Sequence, residues 1–133
     1  MRINRVEEVE AWKTARELTR MIYRISDEYG FDADHNLRRQ VRQAATSTMA
    51  NIAEGFESGT DREFTRFLRI AKRSAAEVQS HLHVAIDCGY LRKEAFEAAY
   101  AKCEATKRLI GGFIRYLGKR RRKASPLEPP IGS

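Results

Sequence analysis

The sequence has little that would break or cross-link a chain. Its two cysteines, Cys88 and Cys103, are too few for a disulfide scaffold and form no Cys-x-x-Cys pair, so both are expected to be reduced. Of its three prolines, Pro129 and Pro130 stand near the end, which leaves almost nothing to interrupt long helices. With eight glycines there are not enough turn signals for an all-β sandwich, which needs one every ~8–12 residues. No apolar run approaches the ~18 residues of a membrane span. The opening Met1-Arg2-Ile3-Asn4-Arg5-Val6-Glu7-Glu8 is charged where a signal peptide would be apolar, so the expected address is cytoplasmic, with no membrane partner.

What is present is a chain of 133 residues, 42% apolar and 32% charged, sized for one ordered domain. Apolar residues recur at steps of three and four in four segments. The first runs from about Val6 to Ser26 on Ala11, Ala15, Leu18, Ile22 and Ile25. The second runs from about Asn36 to Glu57 on Leu37, Val41, Ala45, Met49, Ile52 and Phe56, with His35 in the loop before it. The third carries Phe64, Phe67, Leu68, Ala71, Ala75, Val78, Leu82 and Ile86, with Asp61 as its expected N-cap and Cys88-Gly89 as its stop. The fourth runs from about Lys93 to Arg121 on Ala95, Phe96, Ala99, Cys103, Ile110, Phe113, Ile114 and Leu117, and Gly111-Gly112 inside it marks a bend or a close contact. Short connections force neighbouring helices to run antiparallel, so the expected fold is all-α, an up-down-up-down four-helix bundle over residues 1–118. Residues 119–133 are expected to be a basic, proline-containing and disordered tail.

The net charge of +7 is unevenly spread. Residues 1–118 hold 20 basic and 17 acidic side chains, a balance of +3, and the run Lys119, Arg120, Arg121, Arg122 and Lys123 supplies the remaining excess. Within the bundle, two cationic stripes lie opposite the apolar faces. Arg62, Arg66, Arg69 and Arg73 form one on the third helix, and Lys13, Arg16, Arg20 and Arg24 form the other on the first. Arg62 to Arg73 spans about 16 Å at the helical rise, long enough to meet several phosphates of a polynucleotide. Arginine suits bidentate contact with phosphate or carboxylate. The competing reading is an ordinary solvated surface for the stripes and a helix end with a solvated tail for the cluster. No aromatics interleave with these arginines and no recognition-helix motif occurs, so base-specific binding is not expected.

The second helix is rich in small residues over most of its circumference, from Ala44-Ala45-Thr46-Ser47-Thr48 to Ala50, Ala53 and Gly55. Small residues let backbones come close, so a second packed side is expected, and a second copy of the chain is its simplest source. Asn51 and Glu54 beside it, with Ser74 and Glu77 on the third helix, read as hydrogen bonding between helices or subunits. A metal-dependent enzyme using Glu54, Glu77 and His81 is a distant alternative, but the Glu-x-x-His repeat of carboxylate-bridged bundles is absent. There is no phosphate-cradling glycine loop, no Gly-x-Ser-x-Gly and no His-Glu-x-x-His, so no catalytic residue, metal or cofactor is assigned. A protein adaptor whose arginines meet an acidic partner stays open as the alternative to nucleic-acid binding.

The run Gln40-Val41-Arg42-Gln43-Ala44-Ala45-Thr46-Ser47, followed by Asn51-Ile52-Ala53-Glu54-Gly55, resembles the helix-two signature of the four-helix bundle proteins encoded in intervening sequences of bacterial 23S ribosomal RNA genes. The likeness continues through Phe64, Phe67-Leu68, Ile70-Ala71, Ser74 and Glu77 to Gly89-Tyr90-Leu91. It covers about Val9 to Leu117. The resemblance implies a ring-like homopentamer. It also implies kinship with the accessory proteins of diversity-generating retroelements, basic bundles that bind nucleic acid and a reverse transcriptase. It supplies no catalytic residues, and it does not reach the Lys119–Lys123 cluster.

Overall fold

The computed structural model describes residues 3–124. A single 3-10 turn, Val6–Glu8, precedes four helices: α1 Glu10–Ile25, α2 His35–Glu57, α3 Asp61–Asp87 and α4 Lys93–Ala124. The first helix therefore starts later than its apolar pattern suggests. Val9 is extended, and the Glu8 carboxylate accepts from the backbone N–H groups of Asn4 and Arg5 at 2.9 and 3.1 Å. That closes the short turn before α1 begins. His35 opens α2 rather than lying in a loop, because Asp34 caps the helix by accepting from Leu37 N at 3.1 Å.

Each helix packs against two others in ring order: α1 with α2, α2 with α3, α3 with α4, and α4 with α1. No Cα of α1 lies within 8 Å of a Cα of α3, so these two stand diagonally across the bundle. The chain is thus an all-α four-helix bundle, and its core divides along the axis. Leu18, Ile22, Phe31, Val41, Val78 and Leu82 fill one half. Val9, Ala15, Ile52, Leu68, Ile110 and Leu117 fill the other. Phe56, Phe67, Phe96, Phe113 and Ile114, read as inward from their spacing, are only half-buried at the rim.

Four of the small residues of α2 are packed within the chain. Ala44, Ala45, Thr48, Ile52 and Gly55 are buried between α1 and α3. At Gly55 the approach is tightest: a Cβ there would stand 2.7 Å from Phe64 Cδ1 and 2.9 Å from Phe67 Cβ. Ala50 and Glu54 stay exposed, and Ala53 is half-buried. A bundle helix has two packed flanks, which account for the buried small residues but not for Ala50 and Ala53 on the outer side.

The third helix is capped by Thr60, whose Oγ1 accepts from Glu63 N at 3.1 Å, and not by Asp61. Asp61 is instead engaged by Arg120 of α4, whose Nε donates to Asp61 Oδ2 at 2.8 Å. Gly89 takes a positive φ of 78° just after α3, as expected of its stop. Gly111 and Gly112 leave α4 unbroken, and no neighbouring backbone approaches either of them. Nor does α4 stop at residue 118. It carries Lys119–Lys123 as helix and reaches Ala124, so this part of the expected tail is the last turns of the bundle helix. The expectation of disorder for residues 125–133 lies outside the described residues.

Candidate nucleic-acid interface

Because α1 and α3 are diagonal and each turns its apolar stripe inward, the two cationic stripes point away from each other on opposite sides of the bundle. One polynucleotide segment cannot lie along both within a single chain. Their surroundings also differ. On α1, Lys13 pairs with Glu10 at 3.2 Å, Arg16 lies 5.8 Å from the centre of the Trp12 ring, and the same surface depression includes Glu7, Glu10 and Glu17. Arg20 lines the same depression, and both Arg20 and Arg24 are exposed. The α1 face is therefore mixed in charge.

On α3, Arg62, Arg66, Arg69 and Arg73 are all exposed. Arg66 is held by Glu63, with bonds of 3.1–3.3 Å, and lies 4.4 Å from the centre of the Phe67 ring. Arg62, Arg69 and Arg73 form no ion pair among the described residues. Glu63, three residues before Arg66 on the same helix, thus neutralises one of the four members of the stripe. Arg120 is likewise taken out of the terminal cluster by Asp61. The guanidinium lowers the Asp61 carboxyl below the usual carboxylate range, and the carboxylate raises the Arg120 guanidinium in turn. This pair closes a cleft of about 680 Å³ at the bundle end, walled by Phe56, Phe64, Phe113 and Tyr116. Lys119, Arg122 and Lys123 are exposed and Arg121 is half-buried.

The structure adds cations that the stripe pattern missed. Two shallow depressions lie along the seam between α3 and α4, and a third borders them on the face of α4. The first is lined by Arg69, Lys72, Arg73, Ala76 and Lys107. The next is lined by Lys72, Glu104, Lys107, Arg108, Gly111 and Arg115. The last is lined by Phe96, Glu97, Tyr100, Ala101, Glu104 and Arg108. Lys72 and Lys107 line both of the first two, and Glu104 and Arg108 line both the second and the third, so the three adjoin in one row, the α3–α4 trough. Lys72, Lys107, Arg108 and Arg115 lie at the edges of their helical faces. Only the tertiary pairing of α3 with α4 adds them to Arg69 and Arg73. The sequence signal that could have found them is the short Cys88–Arg92 connection, which makes the two helices neighbours.

The acid at the centre of the trough is compensated. Gln79 Nε2 donates to Glu104 Oε2 at 2.7 Å, and Lys107 Nζ lies 2.9 Å from the same oxygen. Lys107 also donates to Gln79 Oε1 at 2.9 Å. These bonds hold the Glu104 carboxyl below the usual carboxylate range. Above Gly111 the backbone is bare. The place a Cβ would occupy is 3.6 Å from Arg115 Nη1 and 3.9 Å from Lys72 Nζ, so two cations from different helices converge there.

The polar residues assigned to interhelical bonding divide. Asn51 Nδ2 donates to Ser47 O at 2.8 Å and to Ser47 Oγ at 3.0 Å. Ser47 Oγ in turn shares a hydrogen bond with Ser74 Oγ at 3.0 Å, tying α2 to α3. Glu54 and Glu77 are exposed and take no part in this chain of bonds. Glu77 meets only His81, at 3.3 Å on its own helix. Among the described residues no three His, Cys, Asp or Glu side chains cluster as metal ligands would. Cys103 is buried in the core and its thiol is pushed up to about 12, whereas Cys88 is exposed. No helix among the described residues is long and apolar enough to cross a membrane.

The model of a family described as 23S rRNA-intervening sequence protein matches residues 7–112. That stretch contains the α3 stripe and most of the trough but stops short of Arg115 and of Lys119–Lys123. Among solved structures, the fold is similar to that of a protein of unknown function from the S23 ribosomal protein family of Bacteroides thetaiotaomicron. The TM-score is 0.72 at 21% identity, over 79% of this chain and 95% of that one. No curated protein matches.

Proposed function

This chain belongs to the 23S rRNA-intervening sequence protein family, and from that premise we propose that it is a non-enzymatic, self-associating bundle that binds nucleic acid through its phosphate backbone. The carrying observation is the α3 face. Exposed Arg62, Arg69 and Arg73 are unpaired by any described carboxylate, and the seam with α4 widens the row with Lys72, Arg108 and Arg115. Such a surface attracts a polyanion regardless of base sequence. The α1 stripe, interleaved with glutamates, is the secondary face. Within the terminal cluster, Lys119, Arg122 and Lys123 extend the positive field along α4, and Arg120 serves the fold.

The double reversal Arg69→Glu/Arg73→Glu tests this reading. It should abolish binding to a labelled oligonucleotide in dilute buffer while the circular dichroism spectrum of the helices stays unchanged. Retained binding by the folded variant would remove the α3 face from the account. Failure of the wild-type chain to bind any polynucleotide at low salt, together with salt-sensitive capture of an acidic polypeptide such as polyglutamate, would favour the adaptor reading. Light scattering tests self-association, and a monomer at all concentrations would contradict it.

A further inference from the structure

The cationic seam does not end in solvent. At its α3–α4 loop end, the depression that shares Glu104 and Arg108 with the basic stretch is walled by Phe96 and Tyr100. His83, exposed on α3, reaches both of them: its ring centre lies 5.1 Å from that of Phe96 and 5.5 Å from that of Tyr100. Phe96 and Tyr100 are themselves 5.5 Å apart with their planes 33° from each other. Spacing along the chain hid this cluster, because His83 of α3 meets Phe96 and Tyr100 of α4 only in the fold. The fold nevertheless places three partly open rings on the same seam as Arg69, Lys72, Arg73, Arg108 and Arg115.

We infer that the ligand of this face is single-stranded nucleic acid, with its backbone in the basic part of the α3–α4 trough and an unpaired base stacked on the Tyr100–His83 end. The inference rests on the phosphate-binding reading and narrows it. Two observations carry it together. The basic and aromatic depressions adjoin, with Glu104 and Arg108 lining both. Tyr100 is half-buried and His83 exposed, while Phe96 packs against the core. A duplex keeps its bases stacked on one another and offers such rings nothing. A single strand can splay a base onto an aromatic face while its phosphates follow the cations. The Glu97 carboxylate at the aromatic end disfavours a phosphate there, which suits a base.

From Tyr100 to Arg108 is about 12 Å along the helix, and to Arg115 about 22 Å, so the stacking platform and the cations are within reach of one short strand. Stacking has no base-edge component in this arrangement, so the preference is for an unpaired strand over a paired one and not for a particular sequence.

The test compares an oligothymidylate with a duplex of equal length, each labelled with fluorescein, by anisotropy at one low salt concentration. The wild-type chain should bind the single strand more tightly. Tyr100→Ala should weaken single-strand binding by about 5- to 150-fold, the range that loss of one stacked base brings. It should leave duplex binding unchanged, because no cation is removed. Tyr100→Trp, which keeps a broad aromatic face, should retain the single-strand preference. Equal binding of both probes by the wild-type chain, with Tyr100→Ala without effect, would overturn the inference and leave the phosphate reading standing. Loss of self-association in Tyr100→Ala, seen by light scattering, would overturn it differently, by assigning the rings to an interface between copies. Failure of both probes to bind the wild-type chain would sink the phosphate reading itself.

Discussion

Gly55 and Gly111 make a paired test of how the bundle is packed. Both are helical glycines, and replacing either by alanine gains about 0.8–1 kcal/mol of helix propensity. Their surroundings differ in kind. At Gly55 the new Cβ would meet Phe64 Cδ1 at 2.7 Å, Phe67 Cβ at 2.9 Å and the Phe64 carbonyl oxygen at 3.1 Å. Phe64 is buried, and it lies in the first turns of α3 with backbone close behind it. The helices must therefore move apart, and overpacking of this sort costs about 1–3 kcal/mol. Set against the propensity gain, Gly55→Ala should lose on the order of 1 kcal/mol, or roughly 4 °C in melting temperature for a domain of this size. At Gly111 the new Cβ would meet only the mobile ends of Arg115 and Lys72, at 3.6 and 3.9 Å. Gly111→Ala should therefore gain on the order of 0.5–1 kcal/mol and melt higher. Thermal unfolding followed by circular dichroism reads both. A Gly55→Ala chain as stable as the wild type, or a Gly111→Ala chain less stable, would refute the packing argument.

Two further predictions concern charge and chemistry. Asp61 has its carboxyl lowered by Arg120, so the pair contributes stability above the ordinary aspartate pKa near 3.8 and loses it as pH falls through the depressed value. Asp61→Asn should cost about 0.5–1 kcal/mol at pH 7 after solvent screening, and the gap from wild type should close at strongly acidic pH; a gap constant with pH would contradict the pairing. Burial pushes the Cys103 thiol up to about 12 while Cys88 stays exposed, so a thiol reagent at mildly alkaline pH should label one cysteine per native chain and both after denaturation. Rapid labelling of both in the native state would contradict the core assignment of Cys103.

The bundle was legible because its helix faces are periodic. Ala11, Ala15, Leu18, Ile22 and Ile25 are all buried, as their spacing requires. What the pattern could not resolve were choices settled by distant partners. Thr60 and Asp61 are both good capping residues. Thr60 caps because Asp61 is turned toward Arg120, on another helix and 59 positions along the chain. The stripes were visible as stripes, but their worth was not. Glu63 silences Arg66, glutamates dilute the α1 row, and the diagonal placement of α1 and α3 prevents the two rows from acting together. Conversely, Lys72, Lys107, Arg108, Arg115, His83 and Tyr100 stand at face edges that gain meaning only where two helices meet.

The most direct test of the cationic seam is the salt dependence of single-strand affinity. If Arg69, Lys72, Arg73, Arg108 and Arg115 each meet a phosphate, the logarithm of the binding constant should fall against the logarithm of salt with a slope of about −3.5. Arg69→Ala/Arg73→Ala should reduce that slope by ~1.4. A slope that the double substitution leaves unchanged, or an affinity indifferent to salt, would contradict the account.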